Sequence, residues 1–467
     1  MSTAAGPSDG LAPSAGPPPR VVALIDGEHY PPVVRFALEK LGESCEVVAL
    51  AFAGGTEKVG ASDDLTAYGH AVTRGDTPDA ALAAALAEHH PDEVVDLSDE
   101  PVVSAADRMR LAALSLAAGA AYRGADFRFD PPRVGFRPVT PTLAIIGTGK
   151  RVGKTAVSAQ VARRLSEHGI DVVVLAMGRG GPAEPELIHG DKVALTTADL
   201  LALAAQGKHA SSDNYEDAVM ARVTTVGSRR CGGGMAGETF FGNVEEGAAL
   251  ADSLGKQLLV AEGSGAAIPP VRPDATLLVI GASQGAEYVT GFMNPYRLGL
   301  ADAVIVAGAE ESLDTLGKAQ EVVAAVRSLR PDVRVTVTRF RPRPLEPIEG
   351  KRAFFATTAP AALLPTLAAD LERDAGCTVV ASSPNLSDRA KLRADLAAAP
   401  AYDVLLTELK AAAVDVVAAI GAESGIPTVL CDNVPVTVSG DDLDVLIDGL
   451  GELALKRGGA RREGEVR

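Results

Sequence analysis

The sequence predicts an α/β protein of three domains built on mainly parallel sheets, and three observations carry that prediction. From Val21 onward, short runs of Val, Ile, Leu and Ala alternate with longer helical patterns, as parallel strands joined by crossover helices do. A length of 467 residues accommodates about three domains of ordinary size. Hydrophobic residues make up 47% against 22% charged, a globular balance with enough apolar surface for buried cores.

Residues 1–20 are Ser, Ala, Gly and Pro with almost no bulky apolar side chain, so a disordered tail is expected there. A first, Rossmann-like domain spans 21–135. Its strands are VVALIDG (21–27), EVVALAFAGG (46–55) and EVVDLSD (93–99), with PVVRFALEKL, DAALAAALAEH and DRMRLAALSLAAGA as helices. The Pro-rich stretch DPPRVGFRPVTP (130–141) closes it. The central domain, 136–345, contributes strands at TLAIIG (142–147), DVVVLAM (171–177), QLLVAEG (257–263), TLLVIGA (276–282), AVIVAG (303–308) and VRVTVT (333–338). RFRPRPLEP (339–347) is read as a hinge, because proline interrupts regular strand pairing. The third domain, 346–467, follows with AFFAT, CTVVAS, YDVLLTE and TVLCD as strands.

Composition excludes several function classes. With 44 basic and 61 acidic side chains the net charge is −17, which repels a phosphate backbone, so no nucleic-acid partner is expected. Aromatics at 4%, with no Trp, leave no stacking platform for single strands. Cys45, Cys231, Cys377 and Cys431 lie far apart without C-x-x-C spacing, which argues for a reducing cytoplasm and against a disulfide framework or a zinc ribbon. No apolar run reaches the ~18 residues of a membrane span, and the N-terminus lacks a signal-peptide pattern, so a cytoplasmic protein without a membrane partner is expected.

The strongest chemical signal follows the strand TLAIIG. Gly147-Thr148-Gly149-Lys150-Arg151-Val152-Gly153-Lys154-Thr155-Ala156 leads into a helix whose Val157, Val161 and Leu165 share one face. Glycines let the backbone curl so that several N–H groups point at one phosphate, and the helix N-terminus adds positive potential. Lys154 then reaches the β- and γ-phosphates, and Thr155 is placed for Mg²⁺. Residues Thr148 through Ala156 are therefore the expected nucleotide-binding loop, and the central domain reads as a P-loop NTPase fold. In the G-x-x-x-x-G-K-[ST] pattern the first glycine would fall on Thr148, with glycines one residue to either side. Glu262, ending QLLVAEG, sits where a metal-holding acid belongs, at the carboxyl end of a parallel strand. Asp199 in TTADLLAL is either a second metal ligand or a helix N-terminal acid.

In the first domain DGEHY (26–30) follows the first strand, at the end where open parallel sheets bind ligands. Asp26, Glu28 and His29 either orient substrate or move protons there, or cap the helix that Pro31-Pro32 starts. Glu408 and Lys410, ending another strand, either reach the active site or form an ion pair under a helix.

GTGKRVGKT together with AEGSGAAIPP resembles dethiobiotin synthetase and, more widely, the dimeric P-loop ATPases related to the nitrogenase iron protein. Those ATPases carry an extra lysine, and the resemblance implies a catalytic role for Lys150, which stands one position off their K-G-G-x-G-K-[ST] register. A closer resemblance runs along nearly the whole chain. LIDGEHYPPVV (24–34), GTGKRVGKTA (147–156), MGRGGPAEP (177–185), EGSGA (262–266) and ELKAAAVDVV (408–417) together are similar to the cyclic 2,3-diphosphoglycerate synthetase family. That resemblance implies ATP and Mg²⁺ as cofactors, 2,3-diphosphoglycerate as a small polyanionic substrate, ADP and phosphate as by-products, and a homodimer. A substrate with two phosphates and a carboxylate needs several cations. Arg179, in the GRGGP turn, is expected both to bind it and to act with Lys154 and Lys150 in catalysis. Arg229 and Arg230, ahead of Cys231 and three glycines, are the other candidates for a phosphate clamp. The competing readings are a dethiobiotin-synthetase-like ligase activating a carboxylate, a regulatory P-loop NTPase, and, last, a non-catalytic scaffold. The arginine-rich loops weigh against the first, and the lack of an N-K-x-D motif or a Cys/His cluster against the second.

Overall fold

The computed structural model describes residues 17–58 and 65–465, so the expected disordered tail lies outside the described residues up to position 16. The chain forms two compact units, Met1–Pro131 and Pro132–Arg467.

The first unit is a six-stranded sheet of β1 (Arg20–Ile25), β2 (Glu46–Phe52), β3 (Val72–Thr73), β4 (Glu93–Asp96), β5 (Ala121–Arg123) and β6 (Arg128–Phe129). The spatial order is β3-β2-β1-β4-β5-β6, parallel except for the β5–β6 pair. The three expected strands are β1, β2 and β4. Helices α1 (Pro31–Gly42), α2 (Pro78–His89) and α3 (Ala105–Ala117) connect them. Pro31 and Pro32 open α1, where a missing N–H leaves no bond unmade. Strand order reverses between β1 and β4, which makes the carboxyl ends of these strands the switch point of the sheet.

The second unit carries β7 (Thr142–Gly147), β8 (Val172–Gly178), β9 (Glu186–His189), β10 (Thr224–Cys231), β11 (Phe241–Gly242), β12 (Leu258–Glu262), β13 (Ala275–Gly281), β14 (Ala303–Ala307) and β15 (Arg334–Pro344). It continues with β16 (Arg352–Ala356), β17 (Thr378–Ser383), β18 (Val404–Thr407) and β19 (Thr428–Gly440). All thirteen belong to one sheet, in the order β11-β10-β8-β12-β7-β13-β14-β15-β19-β18-β16-β17, with β9 paired to β10. β7, β8, β12, β13 and β14 are buried along their whole length, as continuous apolar runs require.

The expected hinge at 339–347 is a strand instead. β15 runs through it and pairs antiparallel with β19 from Thr336 to Pro344. The Leu345 N–H donates to the Leu430 carbonyl across this pair, so by the two-residue period Pro342 and Pro344 face their nitrogens away from β19. On that side β14 has already ended, its last partner being Thr338. The missing N–H groups therefore interrupt nothing. The expected boundary near 345 is thus bridged by strand pairing, and the C-terminal helix Leu443–Glu465 packs back on the phosphate-loop half. Leu446, Ile447, Leu450 and Ala454 share a core with Leu143, Val157 and Leu165. Arg164 pairs with Asp444 and Asp448 across that contact. Each fully buried Leu or Ile there is worth ~1.5–3 kcal/mol. Among the described residues no helix is long and apolar enough to cross a membrane.

Candidate active site

The turn after β7 leads into α4 (Lys154–Glu167), and its curl is visible in the backbone: Arg151 and Gly153 are left-handed, at φ 61° and 89°. A Cβ on Gly147 would lie 2.7 Å from Lys154 Cδ, and one on Gly153 would overlap the Phe340 ring from β15. Glycine is needed at 153, where the left-handed backbone and the ring both exclude a side chain, while at 147 a methyl group would press on the Lys154 stem. Thr148 is fixed on the neighbouring strand, its N–H donating to the Val279 carbonyl and its own carbonyl accepting from the Tyr288 hydroxyl. Val152 and Ala156 are buried, Gly149 is half-buried, and Lys150 and Arg151 are exposed on the loop.

Lys154 is 6% exposed and donates to the Gly149 carbonyl at 3.0 Å. Burial pulls its ammonium down to about 8, against the carboxylates of Glu262 and Asp213, which raise it, while Arg179 and Arg230 lower it further. The structure thus brings the expected residues Lys154, Glu262, Arg179 and Arg230 within electrostatic reach of one another. The Thr155 hydroxyl, in the first turn of α4, donates at 2.9 Å to Oε1 of Glu262 at the end of β12.

Asp199 takes the other alternative. It lies on α5 (Thr197–Ala205), exposed, in a capping box with Thr196, whose N–H and hydroxyl donate to its carboxylate at 2.8 and 2.6 Å. Those bonds hold its carboxyl below the usual range. The acid that faces Glu262 is Asp217, on α6 (Asp213–Ala221). Asp217 is fully buried; neither of its oxygens, nor Glu262 Oε2, has a hydrogen-bond donor. Burial pushes Glu262 up to about 7, with Asp213 adding to the rise and Lys154 and Thr155 opposing it; burial and then Glu262 push Asp217 well above the carboxylate range. Two buried carboxyl groups with orphaned oxygens beside a threonine hydroxyl fit a hard divalent cation. Among the described residues no three His, Cys, Asp or Glu side chains converge as a closed metal cage. A Mg²⁺ ion that also needs phosphate oxygens suits such an open set.

Arg229 and Arg230 do not form one clamp. They are consecutive residues of β10, so their side chains leave opposite faces, Arg229 exposed and Arg230 turned inward. Arg230 donates to the Gly232 carbonyl at 2.7 Å and the Ser264 carbonyl at 2.6 Å, while its buried Nε has no acceptor. It joins the glycine-rich turn after β10 to the loop after Glu262. Arg297 strengthens the same junction: it is 2% exposed and donates to the carbonyls of Ala266, Met293 and Met235. Neither Asp217 nor Arg297 stands out in the sequence. The only signal for Asp217 is its spacing from Asp213, four residues apart on one helix face.

On the same side Lys410 pairs with Glu216 of α6 at 3.1 Å. Burial holds the Glu216 carboxyl at about 8 against the pull of Lys410. Glu408 instead accepts from Thr357 and Thr358.

In the first unit Asp26 is buried and organises its own turn rather than capping α1. It accepts from the N–H groups of Glu28 (3.0 Å), His29 (3.2 Å) and Asp99 (2.6 Å), and its Oδ1 lies 2.8 Å from His29 Nδ1. The N-cap of α1 is Tyr30, without a side-chain cap. Glu28 lies against Gly55, beyond β2. The half-exposed His29 ring is therefore held at the switch point of this sheet.

Three family models match the chain: the cyclic 2,3-diphosphoglycerate synthetase N-terminal domain over 20–130, its P-loop domain over 142–339 and its C-terminal domain over 344–434. The cyclic 2,3-diphosphoglycerate synthetase of Rubrobacter xylanophilus is 50% identical over 419 residues, covering 89% of this chain and 94% of that protein. Those of Thermococcus kodakarensis and Methanothermus fervidus are 47% and 44% identical, covering 93% and 90% of this chain and 99% and 93% of theirs. A solved structure of LpxK from Aquifex aeolicus in complex with ATP covers 69% of this chain and 91% of its own at 12% identity and a TM-score of 0.38, too slight a likeness to carry weight. Identity of the extent seen with the synthetases, spread over all three matched regions, means that the chain belongs to the cyclic 2,3-diphosphoglycerate synthetase family.

Proposed function

We propose that this protein uses ATP to close the phosphoanhydride ring of cyclic 2,3-diphosphoglycerate. The observation that carries the reading is a single cluster in the second unit, where the loop lysine Lys154, the orphaned carboxyls of Glu262 and Asp217 and the unsatisfied Nε of Arg230 lie together. In this reading the γ-phosphoryl group of ATP passes to one phosphate of 2,3-diphosphoglycerate, breaking the β,γ-anhydride and releasing ADP. An oxygen of the other phosphate then attacks the inner phosphorus of the new diphosphate, and the added group leaves as inorganic phosphate.

The protein's share is positioning and charge. Lys154 holds the β- and γ-oxygens, its charge favoured by Glu262 and Asp213 against the burial that opposes it. Loop N–H groups of 148–156 cradle the phosphates. Arg179 and Arg230 draw two substrate phosphates together against their mutual repulsion, holding the in-line geometry that phosphoryl transfer requires. Thr155, Glu262 and Asp217 would hold Mg²⁺, which would supply neutralisation of the phosphate oxygens. Lys150, exposed on the loop, and Arg229, on the outer face, serve at the entrance in this reading. On the first unit, taken by itself, Asp26, Glu28 and His29 are the substrate-binding candidates, at the switch point of its own sheet. Four free cysteines fit the cytoplasmic location, and the homodimer rests on the resemblance alone. The test is ADP release from Mg-ATP by the wild type and by Lys154→Ala, with and without 2,3-diphosphoglycerate. Release that needs both the substrate and Lys154 supports the reading; release indifferent to the substrate favours the carboxylate-activating alternative.

A further inference from the structure

We propose that Lys410 is a positioning residue for phosphoryl transfer, reaching from the β16–β19 half of the sheet to clamp the first turn of α6. The inference rests on the role given above to the acids of that helix. Asp213 and Asp217 stand four residues apart on one face of α6, and their placement beside Glu262 depends on how the helix begins. Its first turn is closed by backbone bonds from Tyr215 and Glu216 to the Ser212 carbonyl, without a side-chain cap. Ser212 is the N-cap but makes no side-chain cap bond; its hydroxyl instead donates to Asn214 Oδ1. A helix without that bond relies on other contacts to fix its first turn.

The loop 408–412 supplies what is missing at two points. Lys410 Nζ lies 3.1 Å from Glu216 Oε1, and the Ala411 carbonyl accepts from the Ser211 hydroxyl at 3.1 Å. To present that carbonyl Ala411 adopts φ 48°, a left-handed conformation unfavourable to any residue with a Cβ. Behind it, Glu408 is held by Thr357 and Thr358, and a π-helical turn at Ala413–Ala418 follows, a form concentrated at functional sites. A loop anchored at its base and strained at its tip delivers one cation to one buried acid of the helix that carries Asp217.

The experiment compares full-length wild type, Lys410→Met, Lys410→Arg and the double variant Lys410→Met/Glu216→Gln. The last keeps a folded protein available should Glu216 be intolerable without a counter-ion. Amide hydrogen exchange over 211–218 is measured without ligands, and Mg²⁺ affinity by calorimetry in the presence of ADP. Both Met variants are expected to exchange about tenfold faster over 211–218, with α4 unchanged, and to bind Mg²⁺ about tenfold more weakly. Lys410→Arg, which keeps charge and reach, is expected within about threefold of wild type. Unchanged exchange and Mg²⁺ affinity in the Met variants would overturn the proposal. So would a defect confined to the KM for 2,3-diphosphoglycerate, which would make Lys410 a direct substrate contact. A loosened α6 with weakened Mg²⁺ binding in a protein that forms no cyclic product would sustain the clamp and remove only the reaction.

Discussion

Replacing Asp217 by Asn is expected to make the ligand-free protein more stable and the enzyme far less active. Burial, with Asp213 adding to it, raises Glu262 from 4.5 to about 7. Between those values the folded protein keeps a proton that the unfolded chain has released, so stability is greatest on the acid side of the window and falls as pH rises through it. The loss from this one group amounts to about 3 kcal/mol once the pH exceeds both values, taking 1.36 kcal/mol for each pKa unit. Asp217, raised further, extends the fall to higher pH. Asn at 217 removes a buried titrating carboxyl and offers a permanent N–H to Glu262 Oε2. The second unit of Asp217→Asn should therefore gain about 1–3 kcal/mol at pH 8 and show a shallower pH dependence. Turnover should nevertheless fall about 10–100-fold or more, because the metal loses a carboxylate. Urea unfolding followed by circular dichroism at pH 6 and pH 8, alongside turnover, measures both. Lower stability than wild type at pH 8, or unimpaired turnover, would refute the reasoning.

Other substitutions probe separate links. Lys154→Ala should lower turnover by about 10²–10³-fold or more while leaving the fold intact, read by steady-state kinetics beside circular dichroism. Gly153→Ala places a methyl group against the Phe340 ring at a left-handed position, so ATP affinity should fall, and Phe340→Ala in the same chain should recover part of it in a calorimetric titration. Asp26→Ala leaves the N–H groups of Glu28, His29 and Asp99 without their acceptor and should destabilise the first unit by about 1–3 kcal/mol, seen as an earlier transition in thermal unfolding.

How much of this was legible in the sequence depends on the range of the interaction concerned. Strands buried on both faces read directly as apolar runs, and the phosphate loop reads as a local pattern whose glycines meet local requirements. Glu262 was accessible because it ends such a run. Asp199 and Asp217 separate the two kinds of information. Both are acids on short helices, but Asp199 bonds three residues back from a first turn, whereas Asp217, in mid-helix, is buried against a strand end 45 positions away. Nothing local marks the second. The prolines at 342 and 344 suggested a break because sequence shows the missing N–H but not which side of the strand it faces. Arg229 and Arg230 looked like one clamp until β10 set them on opposite faces, and the Lys410–Glu216 pair joins regions nearly 200 residues apart.

The most direct test of the central claim is ³¹P NMR of the purified protein with Mg-ATP and 2,3-diphosphoglycerate. The expected result is a cyclic diphosphate resonance growing in step with ADP and inorganic phosphate, one of each per ring closed. ATP turnover that leaves the two phosphate monoester resonances of 2,3-diphosphoglycerate unchanged would contradict it.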